Sequence, residues 1–101
     1  MIVRVYRATV RSGGAAAFED IVRSEALIQL EGAPGLVSWI AGRPLGAAGE
    51  FAVVTVWEDL EALQRFVGQD WHREGVMPAA ALELLEGTIL HHYEVFASSP
   101  S

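Results

Sequence analysis

The chain has 101 residues and a mass of 10.9 kDa, with 51% hydrophobic and 20% charged residues, which predicts one small folded domain and argues against disorder. Thirteen acidic against seven basic residues leave a formal charge of −6, opposing a nucleic-acid partner, whose phosphates are held mostly by clustered Lys and Arg. Cys, Lys and Asn are absent, which excludes disulfides, thiolate nucleophiles, cysteine metal sites, Schiff-base lysines and the Walker phosphate loop.

Residues 2–10 (IVRVYRATV) are rich in β-branched and aromatic types and predict a first strand, broken at Ser12-Gly13-Gly14. From about Gly14 to Glu31, Phe18, Ile21, Val22 and Ile28 recur at helical spacing, predicting an amphipathic helix. Gly32 suits a left-handed helix end, and Pro34-Gly35 the centre of a type II turn. Residues 36–41 (LVSWIA) and 51–57 (FAVVTVW) predict strands two and three, joined as a hairpin by the loop Arg43 to Glu50. Asp59 is placed to cap a helix carrying Leu60, Leu63, Phe66 and Val67 and ending at Gly68. Asp70 is read as the cap of a short helical stretch broken at Met77-Pro78, resumed through Leu82, Leu84 and Leu85 and closed by Gly87. Residues 88–96 (TILHHYEVF) predict the fourth strand, and 97–101 a flexible tail.

The order β-α-β-β-α-β predicts an α+β, ferredoxin-like split βαβ domain over residues 1–96, with a four-stranded antiparallel sheet and helices on one face. Strand three is apolar on both faces, with Phe51, Val53 and Trp57 on one side and Ala52, Val54 and Val56 on the other. Self-association of the open face as a homodimer is therefore expected. Charges interrupt the N-terminal apolar run, and no window reaches the roughly 18–20 apolar residues of a membrane span, so a soluble, cytoplasmic protein is the expectation.

The segments MIVRVYRATVRSG, EGAPGLVSWIAGRP, FAVVTVWEDLEALQRF, QDWHREG and HHYEVF together resemble the antibiotic biosynthesis monooxygenase-like family across roughly residues 2 to 96. The resemblance implies a dimeric α+β barrel. It also implies a choice among cofactor-free oxidation of quinols or anthrone-type polyketides, haem degradation and isomerisation of small carbonyl compounds. Haem-degrading relatives rely on a strand-one Asn and a haem-ligating His, positions read here as Val5 and Gly75. Cofactor-free oxygenases use an Asn four residues before the Trp that ends strand three; here that residue is Val53, followed by a matching Trp57. Isomerase-like relatives carry a His in a motif similar to QDWH, which implies His72.

His72 is accordingly the candidate general base near neutral pH, against the alternative of a surface histidine. Trp57 is a candidate cavity wall whose indole N–H donates to a substrate oxygen, or else a core aromatic. Trp39, Trp71 and Tyr6 are further candidate lining residues, and Tyr93 is weighed with Tyr6 as a hydroxyl donor. His91 and His92 project to opposite faces of a strand and cannot share one ion, so no metal site is expected. The expected activity is that of a cofactor-independent monooxygenase on a small aromatic, quinol or polyketide-like substrate. The alternatives are a small-carbonyl isomerase and a non-catalytic dimer that binds an apolar metabolite.

Overall fold

A computed structural model describes residues 1–46, 49–73 and 75–99. Strands β1 (Ile2–Val10), β2 (Leu36–Gly42), β3 (Phe51–Trp57) and β4 (Leu85–Glu94) form one antiparallel sheet in the order β2-β3-β1-β4. The chain has the ferredoxin-like α+β fold that the element order predicts. Ala47 and Ala48 of the predicted hairpin loop, Glu74, and Pro100 and Ser101 of the predicted tail lie outside the described residues. Among those described, no helix is long and apolar enough to cross a membrane.

The first helix runs as α1 (Ala15–Ile21), a π-helical stretch π1 (Val22–Ala26) and α2 (Leu27–Leu30). Leu27 N–H bonds to the Val22 carbonyl, five positions back, so the helix carries one residue more than its regular phase allows. That shift corrects the predicted apolar face. Leu27 and Leu30 turn towards the sheet, while Ile28 is 59% exposed. The helix ends at Gly32 (φ +76°), and Leu36 N–H bonds to the Ala33 carbonyl across Pro34-Gly35 at 3.1 Å. Gly35 (φ +83°) is required twice: its backbone is left-handed, and a Cβ there would overlap that of Ala62.

Asp59 caps α3 (Leu60–Val67), its carboxylate accepting from Ala62 N–H at 2.8 Å, and Gly68 ends it at φ +111°. The following segment departs from expectation. Residues 69–73 form a turn rather than a helix, and the Asp70 carboxylate accepts from Arg73, at 2.9 Å, instead of capping. Past Pro78 there is one helical turn, α4 (Ala79–Leu82). The chain enters β4 at Leu85, so Gly87 pairs with Thr9 inside the sheet and closes no helix. The β1–β4 register shifts between Thr9 and Val10, which accommodates that early start.

The helices cover one sheet face. Two apolar clusters fill the interlayer, Tyr6, Ala8, Phe18, Val22 and Ala81 in one and Leu30, Trp57, Ala62 and Leu63 in the other. Strand alternation places Val3, Val5, Val54, Val56, Ile40, Ile89 and Tyr93 on the opposite face, where Ile40 is 68% exposed.

Candidate active site

The inward positions of β1 are Arg4, Tyr6 and Ala8, because side chains alternate and Ala8 is buried against the helices. Val5 therefore points to the open sheet face, which corrects the reading that placed strand one's site position there. Register sets Thr55 and His92 on either side of Arg4, and Val53 and Leu90 on either side of Tyr6. All three inward groups across the Arg4 row are polar, a guanidinium, a hydroxyl and an imidazole, with the Tyr6 phenol in the next row.

Arg4 is buried, and its guanidinium donates to the Trp71 carbonyl at 2.6 Å and to His92 Nε2 at 2.8 Å. A guanidinium has no acceptor, so His92 Nε2 carries the lone pair and its ring proton sits on Nδ1. Burial, then the charge of Arg4, lowers the His92 pKa from 6.5 to about 4, leaving the ring neutral at pH 7. Burial also pushes Arg4 down to about 10, still cationic at neutral pH. Tyr6 is 7% exposed, and burial raises its pKa, so it stays a phenol. Its hydroxyl has no hydrogen-bond partner among the described residues, and no side-chain polar atom there is both fully buried and unpaired. The hydroxyl is therefore not fully buried. Gly75 packs against the other edge of that ring, where a Cβ would overlap it.

Between helices and sheet the described residues line two cavities of interest. The inner one, about 50 Å³, is lined by Arg4, Tyr6, Thr55, Trp57, Phe66 and Met77 among others. The outer one, about 460 Å³, is lined by Phe18, Val22, Trp39, Ala41, Arg43 and Phe51 among others, a volume ordinary for a small-molecule site. Leu27 and Val53 line both, so the two chambers adjoin at these side chains. Phe18 and Phe51 meet edge to face at 5.1 Å in the wall of the outer chamber.

Of the residues singled out in the sequence, Tyr6 and Trp57 line the inner chamber and Trp39 the outer. Trp57 is fully buried against Phe66, and its indole N–H donates to Thr55 Oγ1 at 2.8 Å, so that proton is committed within the protein rather than offered to a substrate. Trp71 lines neither cavity; its ring stands edge-on to His92 (4.7 Å) and His72 (5.4 Å). His72 is exposed in the turn after α3 and borders neither cavity, which corrects its expected position as a base inside the site. In this short turn it is Trp71, half-buried against the cluster of Leu30 and Trp57, that turns inward, and His72 stays at the surface. His91 and Tyr93 lie together on the open sheet face, centroids 6.3 Å apart. Sequence reasoning passed over Arg4 and Thr55 as site residues and weighed His92 only as a metal ligand. Counting back by twos from an inward Trp57 finds Thr55, but Arg4 and His92 join it only through strand register.

An antiparallel four-stranded sheet covered on one face by helices, with cavities between the layers, defines the class of ferredoxin-like α+β domains. The antibiotic biosynthesis monooxygenase family profile matches residues 1–77, and the chain belongs to that family. Solved structures share the fold over nearly all of the chain. The haem degrader MhuD of Mycobacterium tuberculosis, described with two haems in its active site, is 22% identical with a TM-score of 0.74, covering 99% of this chain and 100% of its own. A point mutant of SnoaB, a cofactor-independent oxygenase of Streptomyces nogalater, is 21% identical with a TM-score of 0.74, covering 99% and 97%. A conserved protein of Methanosarcina mazei is 18% identical with a TM-score of 0.70, covering 92% and 91%. No curated protein shows significant similarity to the chain.

Proposed function

We propose that this chain is a homodimeric, cofactor-independent monooxygenase that oxidises a small aromatic, quinol or polyketide-like substrate in the interlayer cavity. One observation carries the reading: a phenol hydroxyl with no hydrogen-bond partner among the described residues and a buried guanidinium, Tyr6 and Arg4, both line the inner chamber. Donors arranged in this way stabilise an oxyanion far better than water does. A phenol or enolisable ketone whose oxygen reaches Tyr6 loses its proton to solvent through the open cavity, and the anion is electron-rich enough to reduce dioxygen. For an anthrone the carbanion and dioxygen join through a new C–O bond, and the resulting hydroperoxide loses water. One oxygen atom ends in the product carbonyl and one in water, so no other reductant is consumed.

The family and the likeness to SnoaB support this chemistry. The likeness to MhuD raises haem as an alternative occupant. A histidine-ligated haem needs an imidazole facing the cavity. None of the three histidines borders either chamber, and His92 Nε2 is engaged by Arg4, so the residues present do not fit that group. The apolar open sheet face supports the homodimer.

Dioxygen uptake with anthrone and hydroquinone substrates tests the proposal. Wild-type protein is expected to consume one dioxygen per ketone formed from anthrone. Tyr6→Phe should slow turnover by about 100-fold, the usual effect of removing one oxyanion donor, while His72→Ala stays within about twofold. Uptake abolished by His72→Ala and untouched by Tyr6→Phe would overturn the assignment of roles. Absence of uptake with substrate bound would overturn the oxygenase reading in favour of a binding protein or isomerase.

A further inference from the structure

Two of the chain's seven basic residues meet at the outer cavity. Arg43, just past the end of β2, spans 24 positions to Glu19 on α1, donating from Nε at 3.1 Å and from a terminal nitrogen at 2.5 Å. Arg23, one turn along the helix, donates to the same carboxylate at 2.7 Å. All three residues line the cavity. Both guanidiniums are about two-thirds exposed, and ion pairs of that kind contribute little to stability, so holding the fold together is a poor explanation for the cluster.

Charge supplies a better one. Two guanidiniums against one carboxylate leave one positive charge at the rim, in a chain whose net charge is −6. The bonds from Arg43, then those from Arg23, hold the Glu19 carboxyl below its ordinary pKa, so it remains an anion and a poor proton acceptor. The other nitrogens of Arg23 and Arg43 have no partner among the described residues, and planar guanidinium forks match carboxylates in two-point fashion. Behind the rim the walls are Phe18, Trp39 and Phe51.

We infer that the outer cavity selects an aromatic carboxylate, its ring between Trp39 and Phe51 and its acid group on Arg43 and Arg23, in exchange with the carboxylate of Glu19. The inference rests on the aromatic site proposed above and adds the ionic group that the substrate carries. Glu19 acts as an internal stand-in, keeping both arginines aimed at the mouth until an acid displaces it.

Calorimetric titration with 2-naphthoate and with its neutral counterpart 2-naphthalenemethanol tests this. The acid should bind about tenfold more tightly than the alcohol, as charge-assisted bonds require. Arg43→Gln and Arg23→Gln should each remove most of that preference while moving the alcohol by less than about twofold. Glu19→Gln should act in the opposite direction, tightening the acid about three- to tenfold by removing its competitor. Equal binding of both probes, or weaker acid binding in Glu19→Gln, overturns the inference and leaves the aromatic site standing. Failure of both probes to bind overturns the aromatic site as well.

Discussion

Replacing Gly35 by Ala tests how tightly the turn before β2 is locked against the helix that walls the inner chamber. At φ +83° an L-residue adopts a left-handed backbone at a cost of about 1–2 kcal/mol, partly offset by about 0.4–1 kcal/mol from a less flexible unfolded chain. Gly32, at φ +76° and with nothing near its missing Cβ among the described residues, isolates that backbone effect: Gly32→Ala should destabilise by about 1 kcal/mol. At Gly35 the new methyl also collides with the Ala62 Cβ, and overpacking of this kind adds about 1–3 kcal/mol. Gly35→Ala should therefore cost about 2–4 kcal/mol, or roughly 10–25 °C in Tm for a domain of this size. Urea denaturation at one fixed protein concentration measures both variants. Adding Ala62→Gly removes the colliding atom, so the double variant should be less destabilised than the sum of its singles by about 1–3 kcal/mol. Strict additivity, or a Gly35→Ala cost equal to that of Gly32→Ala, would refute the overlap. Because α3 carries Phe66 against Trp57, the same substitution should loosen ligand binding in the inner chamber.

Three further outcomes are expected. Asp59→Ala removes the acceptor for Ala62 N–H and should cost about 1 kcal/mol in chemical denaturation, without altering dioxygen uptake. Val54→Arg places a charge on the open sheet face; sedimentation should show wild-type protein at twice 10.9 kDa and the variant at a single chain mass, and a monomeric wild type would refute the dimer. His92 is held neutral in the fold with a pKa of about 4 against an ordinary 6.5, so the unfolded chain takes up its proton first as pH falls. Its contribution is complete above pH 6.5 and is lost on descending from there towards 4, so wild-type protein should lose stability faster than His92→Gln across that window, as read from urea midpoints.

Strand positions were legible because β-branched alternation and glycine breaks speak locally. Residues 2–10 and 51–57 form strands as read, and Asp59, Gly68 and the Pro34-Gly35 turn do what their chemistry dictates. Between 69 and 87 the same logic failed. Leu82, Leu84 and Leu85 have helical spacing, yet pairing with the end of β1 at Val10 draws Leu85 and Gly87 into β4. The site was legible in part. Tyr6, Trp39 and Trp57 stand out as aromatic, and aromatic side chains wall cavities. Arg4 looks like a surface charge in a half-polar strand until its neighbours are known. Distant segments bury it, among the described residues Thr55 beside it, His92 on its other side and the carbonyl of Trp71. His72 misled for the complementary reason: family pattern names a residue type, but the turn decides which of two adjacent rings goes inward, and Trp71 is the one that does.

The extra residue at Val22–Ala26 also changes how the first helix must be drawn. One helical wheel cannot describe it; two are needed, offset at the π-helical stretch. The first wheel aims Phe18 and Val22 at the outer cavity, and the second aims Leu27 and Leu30 at the inner one, with Leu27 shared. Each half thus answers to its own chamber, so the entrance and the deep end of the slot can be reshaped by substitution independently, whereas deleting one residue from the stretch would bring both back into a single phase and couple them.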